Sequence, residues 1–277
     1  MHPARDLSGE EADQARTPLF RALLLVQVAA AGLFGLAPYL APDASADLSG
    51  FVGGNPFIYR LAGAASLGYA VAAALALAHS RWHRVRIPMV ATLVFNVSAV
   101  VAALFAIVEG DRQFVVFFIL IAASAFSLLA AYWLVRNEGP APRDSDPGIA
   151  GWFRLALGAA TAAAVVFGVG PLLLPQGLAE IGGFASVDLF VYRLAGAATL
   201  GYAVAGVMQI RARHRVEIGL QVVAALVFNA LSAAAAGLYL GSGGRSPVAY
   251  LILAAAVLFT LVFAAWLIQR GPEGAAA

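Results

Sequence analysis

The chain has 277 residues, 62% of them hydrophobic and 12% charged, with a formal net charge of +2. That balance is far from a soluble domain's. The small, dispersed charge argues against nucleic acid as a partner. The lack of cysteine excludes disulfides, thiolate metal sites and cysteine nucleophiles.

Residues 1–19 mix acidic, basic and polar side chains and read as a disordered leader. Eight apolar stretches follow, near 20–41, 57–79, 87–108, 114–135, 152–174, 189–210, 217–240 and 247–269. Each approaches the ~20 residues needed to cross a ~30 Å hydrocarbon core. None alternates with the period of two that a membrane barrel needs, so helices are the remaining solution. Ala44, Ser45 and Ala46 resemble a signal-peptidase site, but the first stretch has a counterpart in mid-chain, so no cleavage is expected.

The connector 42–56 opens on Pro42 and carries Phe51; connector 175–188 opens on Pro175 and carries Phe184. Both read as short segments lying at the outer interface or folding back over the bundle. Residues 137–151 form a Pro- and Gly-rich linker, and 271–277 a loose tail.

Residues 59–72 return as 192–205 with one difference, Ser66 against Thr199. The same offset of 133 pairs Phe20 with Phe153, Phe34 with Phe167, Pro38 with Pro171, Asn96 with Asn229, and Trp133 with Trp266. This is a tandem duplication. The expected architecture is all-α: a polytopic membrane protein of eight transmembrane helices, as two four-helix repeats over 20–136 and 152–270. Four is even, so the repeats run in the same direction.

With the N-terminus inside, thirteen arginines fall on the cytoplasmic side and four (Arg60, Arg112, Arg193 and Arg245) outside. The positive-inside rule therefore places both termini in the cytoplasm, across a bacterial inner membrane. Trp82, Trp133, Trp152 and Trp266 then fall at the cytoplasmic interface, where an indole N–H stays wet.

Arg60 and Arg193, each preceded by a tyrosine (Tyr59, Tyr192), lie about one turn inside the outer ends of their helices. An intramembrane charge pairs, snorkels or faces a wet cavity. Glu109 and Asp111 are the expected partners in the first half, and Asp188 and Glu180 in the second. The sharper reading makes Arg60, Arg193, Tyr59 and Tyr192 a site for an anionic lipid or substrate, because the guanidinium fork suits phosphate and carboxylate.

The same helices carry Ala64, Gly68 and Ala72, matched by Ala197, Gly201 and Ala205, as ridges for close helix packing. Tyr69 and Asn96 reach similar depth, as do Tyr202 and Asn229. Each pair is expected to share a hydrogen bond, because an unpaired polar group in hydrocarbon is costly. Chemical equipment is sparse: the histidines lie in the leader or at helix ends, no acid is expected at mid-membrane, and no P-loop or G-x-S-x-G occurs. No catalytic residue, metal site or cofactor is therefore expected. The Arg and His clusters around 79–86 and 211–215 read as topology determinants.

The four-helix layout of each half, with Tyr-Arg-Leu-Ala-Gly-Ala-Ala opening its second helix, resembles the DoxX-like small bacterial membrane proteins. The resemblance implies a four-helix bundle per repeat and, through some members, a link to quinone-dependent sulfur oxidation. The favoured reading is a non-enzymatic accessory or lipid/small-ligand-binding scaffold, with membrane lipids and a protein partner or second copy as associates. A facilitator for a small anion is the alternative, and a quinone-linked redox subunit the second.

Overall fold

The structure is a computed structural model, and it describes residues 17–50, 55–79, 81–137, 147–184 and 188–269. The leader through residue 16, most of the linker (138–146), Phe51 and the tail from 270 lie outside the described residues.

Among the described residues, ten helices run in order: α1 Pro18–Leu40, α2 Pro42–Ser49, α3 Pro56–Ala78, α4 Trp82–Val108, α5 Phe114–Arg136, α6 Gly151–Leu173, α7 Pro175–Gly182, α8 Leu189–Arg211, α9 Arg215–Gly241 and α10 Pro247–Ile268. All but α2 and α7 are long and apolar enough to cross a membrane. Their outward faces carry Leu128, Leu155 and Leu261, each more than 60% exposed, a surface that water would not tolerate and lipid solvates. The protein is a multi-pass integral membrane protein.

Local signals set the helix starts. Proline stands in the first turn of α1, α2, α3, α7 and α10, where its missing N–H costs nothing. Thr17, Asn55, Asp188 and Ser246 cap α1, α3, α8 and α10 by accepting a backbone N–H. Helix α4 begins at Trp82, five residues before the apolar stretch. Trp82, Val85 and Met89 form a buried stripe at helical spacing, and that packing extends the helix through the polar residues between them. The two connectors form α2 and α7, each ended by a left-handed glycine, Gly50 and Gly183. They define the short-helix end of the bundle.

The tryptophans mark the opposite end, but not as interfacial anchors. Trp82, Trp133 and Trp266 are buried, and only Trp152 is substantially exposed. Trp133 meets Phe20 edge-on at 5.1 Å, and Trp266 stacks on Phe153 at 4.7 Å. These indoles therefore join the first and last helix of each repeat by ring packing, which outweighs headgroup contact at these positions.

Packing within each repeat comes in pairs. Helix α1 lies along α3 and α6 along α8, while α4 pairs with α5 and α9 with α10. Helices α3 and α4 meet little, as do α8 and α9. Instead α3 packs along α9, and α4 along α8, so the inner helices of the two repeats interlock.

Glycine makes this possible. A Cβ at Gly68 would lie 1.9 Å from the Tyr202 hydroxyl and 2.9 Å from the Ala224 carbonyl oxygen. A Cβ at Gly201 would lie 2.1 Å from the Tyr69 hydroxyl and 2.6 Å from the Ala91 oxygen. Each glycine is a notch that receives the other repeat's phenol. Gly68→Ala should therefore lower thermal stability by about 1–3 kcal/mol through overpacking. Adding Tyr202→Phe should recover part of that loss, because it removes the nearest atom; melting curves of the single and double variants in detergent measure this.

Candidate functional site

At the centre, four rings form a ladder across the two repeats: Phe95, Tyr69, Tyr202 and Phe228. Successive centroids are 5.0, 4.9 and 4.8 Å apart. Tyr69 donates its hydroxyl hydrogen to the Ala198 carbonyl at 2.8 Å, and Tyr202 donates to the Ala65 carbonyl at 3.1 Å. Ala65 and Ala198 are themselves 133 residues apart, so the two bonds correspond.

The expected Tyr69–Asn96 and Tyr202–Asn229 bonds do not form. Each asparagine instead donates to its own helix, Asn96 to the Thr92 carbonyl and Asn229 to the Ala225 carbonyl. The glycine notches bring a carbonyl of the other repeat within reach of each phenol. The asparagines, left on a different face, turn back one helical turn. Ala64, Ala72, Ala197 and Ala205 are buried beside these crossings.

The arginines take unequal places. Arg193 is buried and grips Glu109 of the other repeat through both terminal nitrogens, at 2.5 and 2.6 Å, with its guanidinium over the Phe105 ring. This bidentate hydrogen bond holds the Glu109 carboxyl below the usual carboxylate range. The expected pairing of Arg193 with Asp188 or Glu180 gives way because Glu109, at the C-terminus of α4, meets α8 across the repeat interface. Arg60 is half-buried and has no carboxylate partner among the described residues; Ser242 stands where the repeat would place its glutamate.

Asp188 caps α8 through the Val191 N–H and accepts the Tyr59 hydroxyl at 3.1 Å. Burial is the main cause that pushes its pKa up to about 6; Asp111 adds to the rise, while bonds from Val191, Tyr59 and Phe190 oppose it. The folded protein therefore holds this proton more tightly than the unfolded chain does. Stability falls as pH rises from about 4 through about 6 and stays lowest above that, by on the order of 2–3 kcal/mol. Asp188→Asn copies Asn55, the cap at the matching position of α3. It should raise the melting temperature at pH 7.5 and leave it nearly unchanged at pH 4; an equal effect at both values would contradict this account.

Two cavities flank the ring ladder: one lies among α1, α3, α4 and α5, with Phe190, Val191 and Leu194 of α8 in its wall, and the other among α6, α8, α9 and α10, with Ile58 and Leu61 of α3 in its wall. Their linings correspond at the offset of 133: Phe34 with Phe167, Pro38 with Pro171, Tyr59 with Tyr192, Ser66 with Thr199 and Asn96 with Asn229. This explains why α3 and α4 meet so little: the space between the two helix pairs is the cavity. Among the described residues, no Asp, Glu, Arg or His lines either one. Of the candidate binding residues, Tyr59 and Tyr192 face these spaces, whereas Arg60 and Arg193 do not.

The cavities differ in size and in the exposure of their walls. That of the first repeat has a volume of about 620 Å³, and its wall includes the exposed Val26, Leu33, Leu48 and Phe118, so it opens between α1 and α5 onto the apolar surface. That of the second has about 140 Å³, and none of its lining residues is exposed. Helix α2 lines the outer end of the first cavity through Ser45, Leu48 and Ser49, and Phe184, two residues after α7, lines the second.

The polar groups differ too. In the first cavity Gln27 donates to the Thr92 hydroxyl at 2.8 Å, so the two satisfy each other. Both are alanine in the second repeat, at Ala160 and Ala225. The second cavity instead holds Gln209, Gln221 and Ser232, where the first repeat has Ala76, Pro88 and Ala99. Gln209 Nε2 and Ser232 Oγ are enclosed with no protein partner. Sequence reading passed over all five residues. Their signal was a polar side chain in one repeat opposite an apolar one in the other.

Comparison with protein-family models, with curated proteins and with solved structures gives no match in any of the three. The functional reading therefore rests on the cavities themselves.

Proposed function

We propose that this protein is a membrane-embedded, non-enzymatic scaffold that binds lipid or another small apolar ligand, in a bacterial inner membrane with both termini cytoplasmic. The single observation that carries the reading is the pair of uncharged cavities at matching positions, one of them open to the hydrocarbon. A cavity in this setting fills laterally from the bilayer, and apolar walls with a few polar groups suit a lipid-like guest. The arginine distribution supports this orientation, in which α2 and α7 lie at the outer face and α2 covers the outer end of the first cavity. Kinship with DoxX-like proteins is part of the same proposal, resting on the layout of each half. A facilitator for an anion draws no support from walls without a cationic side chain.

The test is native mass spectrometry of gently extracted protein. The wild type should retain bound apolar molecules, and the cavity-filling pair Ala122→Phe and Ala255→Phe should release them. A wild type free of adducts, unchanged by those substitutions, would refute the reading.

A further inference from the structure

We infer that the second repeat's cavity is a selective site for an uncharged chain molecule bearing a hydrogen-bond acceptor, such as an ester or ketone carbonyl, while the first accepts plain hydrocarbon. This rests on the binding reading above and assigns the two cavities different guests.

Three observations lead there. First, Gln209 Nε2 and Ser232 Oγ are buried, face the cavity and have no protein partner. An enclosed amide N–H without an acceptor is uncommon in folded proteins and marks a place where a partner belongs. Second, the first cavity contrasts with it: Gln27 and Thr92 satisfy each other, and Asn96 bonds its own helix, leaving walls that ask nothing of a guest. Third, no Asp, Glu, Arg or His is among the described lining residues, so the charge of a carboxylate or phosphate guest would be stranded.

Register also orients the guest. Gln209 lies two residues before the end of α8, and Gln221 six residues into α9, so both amides sit near the Arg211–Arg215 turn. Ser232 is eleven residues beyond Gln221, roughly 16 Å along the helix at 1.5 Å per residue. A slender chain with its carbonyl at the glutamine end and its tail running toward Ser232 fits that path. An ester or ketone oxygen accepts from Gln209 Nε2; a second oxygen along the chain can meet the Ser232 hydroxyl.

The experiment is photolabelling of the full chain in lipid nanodiscs with three diazirine probes of equal chain length: a fatty methyl ester, an alkane and a free fatty acid. Labels are located by peptide mass spectrometry. The expected result is ester labelling of α6, α9 and α10 peptides well above alkane or free acid, and alkane labelling of α1, α4 and α5 peptides. Gln209→Ala with Ser232→Ala, which copies the residues of the first repeat, should lower ester labelling of the second cavity about five- to tenfold, the worth of one or two hydrogen bonds. Alkane labelling of the first cavity in the same molecules reports that the variant is folded. Equal ester and alkane labelling of the second cavity, or a double variant that labels like the wild type, would overturn the inference. If no probe labels either cavity, the broader binding reading fails with it.

Discussion

Everything in this structure hangs on how closely two helices from different repeats can approach at a glycine. At Gly68 and Gly201 there is no room for a side-chain carbon, and the space is taken by the hydroxyl of a tyrosine from the other half. Each phenol then reaches a carbonyl that already serves its own helix, using the oxygen's second lone pair. In hydrocarbon, where burial of apolar surface gives no advantage over contact with lipid, such packing and hydrogen bonding are what hold helices together. The Arg193–Glu109 pair and the Tyr59–Asp188 bond add further ties between halves at the short-helix end.

One consequence concerns the interior of each half. The inner helices are committed to partners in the other repeat, so they cannot also close on one another. Helices α3 and α4 stay apart, as do α8 and α9, and each gap becomes a cavity walled by four helices of one repeat and an inner helix of the other. The cross-repeat interface and the cavities are thus two results of a single packing choice. The first repeat has a larger cleft whose Gln27 and Thr92 bond each other, and the second has amides and a hydroxyl in a smaller one.

The amino-acid sequence declares most of the helices and little of their partners. Pro56 after Asn55 and Pro247 after Ser246 are local signals, legible because capping is local physics, whereas the start of α4 at Trp82 is hidden by Arg84 and Arg86, which lower the hydropathy of a stripe that only packing reveals. The small-residue ridge at Gly68 and Gly201 was legible as a site of close approach. Its partner was not, because a backbone carbonyl accepts a bond without leaving any residue type as a sign. Assigning Tyr69 to Asn96 presumes that a polar side chain needs a polar side chain, and that each repeat closes on itself. The same presumption paired Arg193 with its own half rather than with Glu109. The tryptophans were read from the chemistry of an interface, whereas Trp133 and Trp266 are spent on rings in the core. The cavity residues needed the two repeats laid side by side and read for their differences.

The most direct test of the central claim is to express residues 1–142 and 143–277 as separate chains in one cell, with an affinity tag on one only. If the repeats hold each other through Gly68, Gly201 and their tyrosines, the untagged half should co-purify in equal amount. Gly68→Leu in one chain together with Gly201→Leu in the other should abolish that capture. Two halves that purify apart, each folded and alone, would contradict the account.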